Sequence, residues 1–211
     1  FFMAIQISTD TELSAVNSIL GSIGQSPITS LQASGNIDPL ANPEISFIKN
    51  LLDEVNKDVQ TSGWHFNTHY RVKQSPDAQG NYVVPQDSIL YDISDGQIDR
   101  DTDVIKKDGK LYDLVHQTDV FTKDYYFDII SLLPFTDVPP AIQRYIIARA
   151  AVRAATQLVS NADLVKLLKL EEEQAKANAL NYETEQGDYN FMGWPAESKY
   201  RAYQPYKALI R

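Results

Sequence analysis

The chain has 211 residues, 43% of them hydrophobic and 22% charged, with a formal net charge of −9 and an isoelectric point near 4.8. That is enough for one large domain or two small ones with a true core, and the absence of cysteine excludes disulfides, thiolate metal sites and cysteine nucleophiles. The acidic balance argues against tight nucleic-acid binding, no apolar run approaches the roughly 20 residues of a membrane span, and no signal peptide is expected.

Phe1-Phe2 ahead of Met3 reads as an extension without structural meaning. A first helix is expected from about Thr9, where Thr9-Asp10-Thr11-Glu12 fits a capping box. Leu13, Val16, Leu20 and Ile23 recur at helical spacing, and Gly24, with Pro27 beyond it, ends the run. Residues 25–42, rich in Ser, Gly, Asn and Pro, read as a loop. Asn42-Pro43 then opens a second helix as cap and first-turn proline. Ile45, Ile48, Leu52, Val55 and Val59 step 3, 4, 3, 4 along one apolar stripe, and Gly63 closes it.

At Trp64 the period changes to two. Trp64, Phe66, Thr68, Tyr70 and Val72 alternate with His65, Asn67, His69, Arg71 and Lys73, which predicts a half-buried strand. Further strand-like runs lie at 82–84, 89–93, 104–107, 110–115 and 125–133, with Asp108-Gly109 as a strong hairpin turn. Short connections predict a mostly antiparallel arrangement. Helix resumes after Asp137-Val138-Pro139-Pro140 with the alanine-rich run 141–159 and breaks at Ser160-Asn161. A fourth helix follows, with Leu164, Leu168, Ala175, Ala179 and Tyr182 on one side, while Glu171-Glu172-Glu173 reads as a solvated face.

From about Gly187 no period is visible. Tyr189, Phe191, Trp194, Tyr200, Tyr203 and Tyr206, with Arg201 among them, have no evident local means of burial. Aromatics and arginine are what interface cores favour, so this stretch is expected to be an arm that docks on a neighbour. The plainer alternative is an arm folded back on its own domain. The expected fold class is α+β. A four-helix bundle forms from the N- and C-terminal segments, 1–63 and 136–188, around a central antiparallel β-rich insert at 64–135, with an extended C-terminal arm at 189–211.

No residue pattern carries a catalytic, cofactor or metal site. His65 and His69 would share a face on a helix, as in zinc proteases. On a strand, four residues at ~3.3 Å each set them about 13 Å apart, too far for one ion with bonds of about 2 Å. The acidic run from Asp92 to Asp99 fails as a calcium loop. Aligning Gly96 with the loop glycine puts Tyr91 and Ile93 where oxygen ligands belong, and Thr102 in place of the bidentate glutamate. GxSxG, phosphate-loop and dinucleotide motifs are missing. With 28 Asp and Glu, accidental carboxylate pairs of the glycosidase kind are expected. Arg144, Arg149 and Arg153 lie along the third helix. They are read as ion-pair partners for Asp and Glu of a neighbouring helix or subunit, a simpler role on an acidic protein than contact with DNA.

Four segments, in order, resemble the tail tubular protein A family of short-tailed bacteriophages. They are TELSAVNSILGSIGQSPITSL at 11–31, ISFIKNLLDEVNKDVQTSGWHFNT at 45–68, PPAIQRYIIARAA at 139–151 and EEEQAKANALNYETEQGDYN at 171–190. The GW-x-FN after the second helix and the closing YE-x(4)-DYN are the most specific parts, and the 70–133 insert matches in pattern only. The resemblance implies a structural virion protein and not an enzyme, made in the host cytoplasm and resident at the head–tail junction. It implies a ring adaptor, usually of about twelve copies, between the portal protein and the tail nozzle (tail tubular protein B). Tail fibres would attach near the nozzle junction, and DNA would pass as cargo. It further implies that the bundle packs in the ring and meets the portal, that the β-rich part faces the tail, and that the arm clasps neighbours, with no cofactor or membrane involved. Interface residues are then expected among Tyr189, Phe191, Trp194, Tyr200, Arg201, Tyr203, Tyr206, Arg144, Arg149 and Arg153. Two competing expectations are a virion-associated hydrolase of glycans or peptidoglycan using an Asp/Glu pair in the β-rich part, and a module that binds a host factor.

Overall fold

The computed structural model describes residues 11–31, 42–94 and 101–187. They fall into two compact units: a helical one, from residues up to Val59 with Pro134–Glu183, and a β-rich one, Gln60–Leu133 with 184–187. The described residues hold four α-helices and small antiparallel sheets, an α+β composition.

In the helical unit, α1 spans Glu12–Ser22, and its N-cap is Thr11 where the sequence suggests Thr9. The Thr11 hydroxyl accepts from Ser14 N at 3.2 Å; either threonine offers the same group, so local sequence alone does not choose between them. Gly24 closes the helix at φ 78°, with Gln25 N donating back to Leu20 O at 2.9 Å. Helix α2, Pro43–Gln60, begins under Asn42, whose Oδ1 accepts from Glu44 N at 3.0 Å. All five residues of its stripe, Ile45, Ile48, Leu52, Val55 and Val59, are buried.

Helix α3, Pro140–Ala154, buries Ile142, Tyr145, Ile146, Ala150, Val152 and Ala154, more than one face, as in a helix surrounded by others. Arg153 fastens it to α2, with Nη1 3.0 Å from Glu54 and Nη2 2.7 Å from Asp58. The chain then widens into a π-turn, Ala155–Val159, and Ser160 takes left-handed backbone at φ 54°. Asn161 Oδ1 accepts from Asp163 N at 3.0 Å and Leu164 N at 3.3 Å, capping α4, Ala162–Gly187. Val152 and Ala155 pack with Leu168 of α4 and the partly buried Ile23.

In the β-rich unit the alternation from Trp64 becomes a strand only at Thr68. Residues His65–Asn67 form one 3-10 turn, and β1 is Thr68–Gln74. Asn67 is the cause. It is fully buried, its Oδ1 accepts from Trp64 N at 2.8 Å, and its Nδ2 donates to the carbonyls of Gln60 at 3.0 Å and Ser131 at 3.1 Å, so a side chain replaces ladder pairing. Strands β2 (Ser88–Ile93), β3 (Val104–Lys107), β4 (Lys110–Asp113) and β5 (Tyr125–Ser131) follow. Asp108 and Gly109, at φ 50° and 76°, turn β3 into β4 as a type I′ hairpin requires. The larger sheet has the order β1-β5-β2, antiparallel throughout. The expected strand at 82–84 supplies only an isolated bridge, Val83 to Lys110.

Tyr82 meets Phe121 and Phe127 edge-on at 5.2 and 5.1 Å in the core of this unit. Its hydroxyl donates to Lys123 O at 2.8 Å, and burial pushes its pKa up to about 12. The two ends of the unit are tied directly. Gln60 Nε2 donates to Leu133 O at 2.9 Å, and Leu133 N donates to Gln60 Oε1 at 2.8 Å. Gln60 is fully buried, so losing its amide strands two backbone groups at about 1–3 kcal/mol each. Gln60→Leu is expected to destabilise the protein by about 2–4 kcal/mol, read as a lower urea midpoint with unchanged far-ultraviolet dichroism; an unshifted midpoint contradicts the clamp.

Candidate assembly surface

Helix α3 spreads its three predicted arginines over different surroundings. Arg153 is bound to Glu54 and Asp58 of α2 within the same chain. Arg149 Nη1 donates to the Tyr145 hydroxyl at 3.2 Å. Arg144 is exposed and lines a groove. The other predicted interface residues, Tyr189, Phe191, Trp194, Tyr200, Arg201, Tyr203 and Tyr206, lie outside the described residues.

The groove consists of two adjoining hollows of about 450 Å³ each that share Arg144, Glu171 and Ala175, between α3 and α4. One runs on to Pro140, Ala141, Gln174 and Asn178; the other reaches Ser18, Gly21 and Ser22 of α1 and Ala148 of α3. Small side chains, Gly21, Ala148 and Ala175 among them, create this space. Sequence reasoning follows the buried stripe of α4 and passes over Leu167 and Leu170, which are 66% and 63% exposed. The signal for them is a second helical repeat on the same helix.

Among the described residues, no group of three or more His, Asp and Glu is placed to hold a metal ion, and no helix is long and apolar enough to cross a membrane. His65 sits in the 3-10 turn and His69 in β1. In the larger sheet Asp92 of β2 stands opposite Asp128 of β5. Each already serves the backbone: Asp128 Oδ1 accepts from Arg71 N at 2.9 Å, and Asp92 Oδ1 from Ile93 N at 2.8 Å. Asp92 is exposed, so it lacks the burial that sets a general acid apart from a nucleophile.

A second polar feature is the turn after β4. Asp113 is buried, and its Oδ2 lies 2.6 Å from His116 Nδ1, while its Oδ1 accepts from Val115 N at 2.8 Å. Burial alone raises the Asp113 pKa, but the His116 ring and the backbone N–H groups of Val115 and His116 outweigh it and hold the carboxyl below its usual range. A depressed carboxylate stabilises the fold above its unfolded pKa of about 4, and that contribution is lost as pH falls through the folded value. Asp113→Asn is therefore expected to lower the urea midpoint at pH 7, with the gap between variant and parent closing as pH falls through the depressed folded-state value; a gap that stays constant as the pH is lowered contradicts the assignment.

The family model described as tail tubular protein matches residues 13–189. A curated relative, tail tubular protein A of Klebsiella phage KP34, is 28% identical over 129 residues, 61% of this chain and 62% of the relative. The chain thus spans about three fifths of that relative's length.

Proposed function

The chain belongs to the tail tubular protein family, and on that premise we propose that it is the ring-forming adaptor joining the portal to the tail nozzle and lining part of the DNA exit channel. The family makes it a structural component of a phage tail. The single observation that carries the finer reading is that the match, 13–189, runs through both the helical and the β-rich unit, so the whole architecture is what the family shares.

In this reading about twelve copies close a ring whose subunits are made in the host cytoplasm. The terminal helices form a four-helix bundle that faces the portal, and the insert at 64–135 faces the nozzle, tail tubular protein B, near the tail fibres. Residues 189–211 form an arm whose aromatics, with Arg201 and the α3 arginines, serve the interfaces. Copies at −9 each place on the order of a hundred negative charges around the bore, which limits adhesion of the passing DNA. Chemistry is not required: geometry, symmetry and interfaces perform the task. Deleting residues 190–211 is expected to leave a folded helical protein that no longer joins the portal or nozzle, as seen by electron microscopy of mixtures with each partner; normal joining by the truncated chain contradicts the role of the arm.

The opposed Asp92 and Asp128 support a second reading, a virion-associated glycan or peptidoglycan hydrolase. Product release from peptidoglycan or capsule fragments that disappears in Asp92→Asn or Asp128→Asn favours it, whereas no release by the parent protein removes it.

A further inference from the structure

Helix α4 carries a second stripe besides the one it buries. Asp163, Leu167, Leu170, Gln174, Ala177 and Asn181 step 4, 3, 4, 3, 4 and are all exposed. This spacing lines up side chains in a seam of the kind that helices pair along. From 167 to 181 the seam holds no charged residue, although Glu171, Glu172, Glu173, Glu183 and Glu185 stand elsewhere on the helix.

Resting on the ring reading, we propose that this seam is the face by which one copy of the chain packs on the next, its leucines entering the neighbour's groove between α3 and α4. Every copy carries −9, so close approach of two copies is favoured where carboxylates are absent, and the seam from Leu167 to Asn181 is such a place. A basic partner is better served by the glutamates beside it than by a neutral line. The groove complements the seam: Gly21, Ala148 and Ala175 leave room for leucine side chains, and Arg144 on its wall supplies a cation for the flanking glutamates. Seam and groove adjoin along α4 and share Gln174; when the seam enters one neighbour's groove while its own groove receives another copy, the contact is head-to-tail, and its repetition builds a ring or filament where reciprocal exchange would stop at a pair.

The test is sedimentation velocity of the full-length chain over a concentration series, for the parent, for Leu167→Glu/Leu170→Glu, and for Leu114→Glu, an exposed position in the β-rich unit. The parent and Leu114→Glu are expected to associate alike. The α4 double variant is expected to need at least about tenfold more protein for the same assembly, with an unchanged melting temperature because both leucines are exposed. Undiminished association of the double variant, association blocked only by Leu114→Glu, or a parent that stays monomeric at every concentration each overturns the proposal. The ring reading fails separately, if purified tails imaged by electron microscopy contain no ring of this chain even where the purified protein associates through α4.

Discussion

The paired hydrogen bonds between Gln60 and Leu133 fix where the β-rich unit begins and ends. The unit needs such a closure because its larger sheet is built from distant parts. β5 lies between β1 and β2, so residues 125–131 return to pair with residues 68–74 before either edge strand has a partner. Closing a loop of that length carries an entropic cost that only later contacts offset. Gln60 imitates a strand neighbour for Leu133, and Asn67 does the same for Ser131. Together they hold the ends of the loop at the register in which Tyr125, Phe127 and Ile129 face the aromatic core around Tyr82. The helical unit meets the same problem with charge, as Arg153 joins Glu54 and Asp58 across about a hundred residues.

A structural tail protein made this way acts through its surfaces. Acidic residues outnumber basic ones, 28 to 19, and give the chain its net charge of −9. The stretch of the α4 seam from Leu167 to Asn181, which holds no carboxylate, stands out against that background. The Asp113–His116 contact fixes a turn within the β-rich unit, and the Arg153 ion pairs join α3 to α2 within the helical unit.

Much of the fold is legible in residue order. The stripe of α2 is buried as its spacing predicts, and Asp108-Gly109 makes the hairpin it announces. The antiparallel expectation also agrees with the sheets, but for a different reason. Short connections account for β3–β4 alone, whereas the β1-β5-β2 order is a tertiary choice that local pattern does not encode. The strand expected from Trp64 starts late because the Asn67 side chain finds partners at Gln60 and Ser131, positions that alternation cannot see. Residues 82–84 look like a strand because Tyr82 and Val84 point inward, yet their pairing stops at one bridge. Of the arginines, ion pairing is seen for Arg153, within its own chain. Leu167 and Leu170 of α4 escape because a helix with one good apolar stripe invites no search for another.

Native-state hydrogen exchange in rising denaturant tests most directly whether residues 60–133 behave as one closed body. Amides of β1, β2 and β5 are predicted to lose protection together, at a single opening free energy distinct from that of α1–α3. Opening of β1 at one free energy, with β5 and β2 still protected to a higher one, would contradict the account.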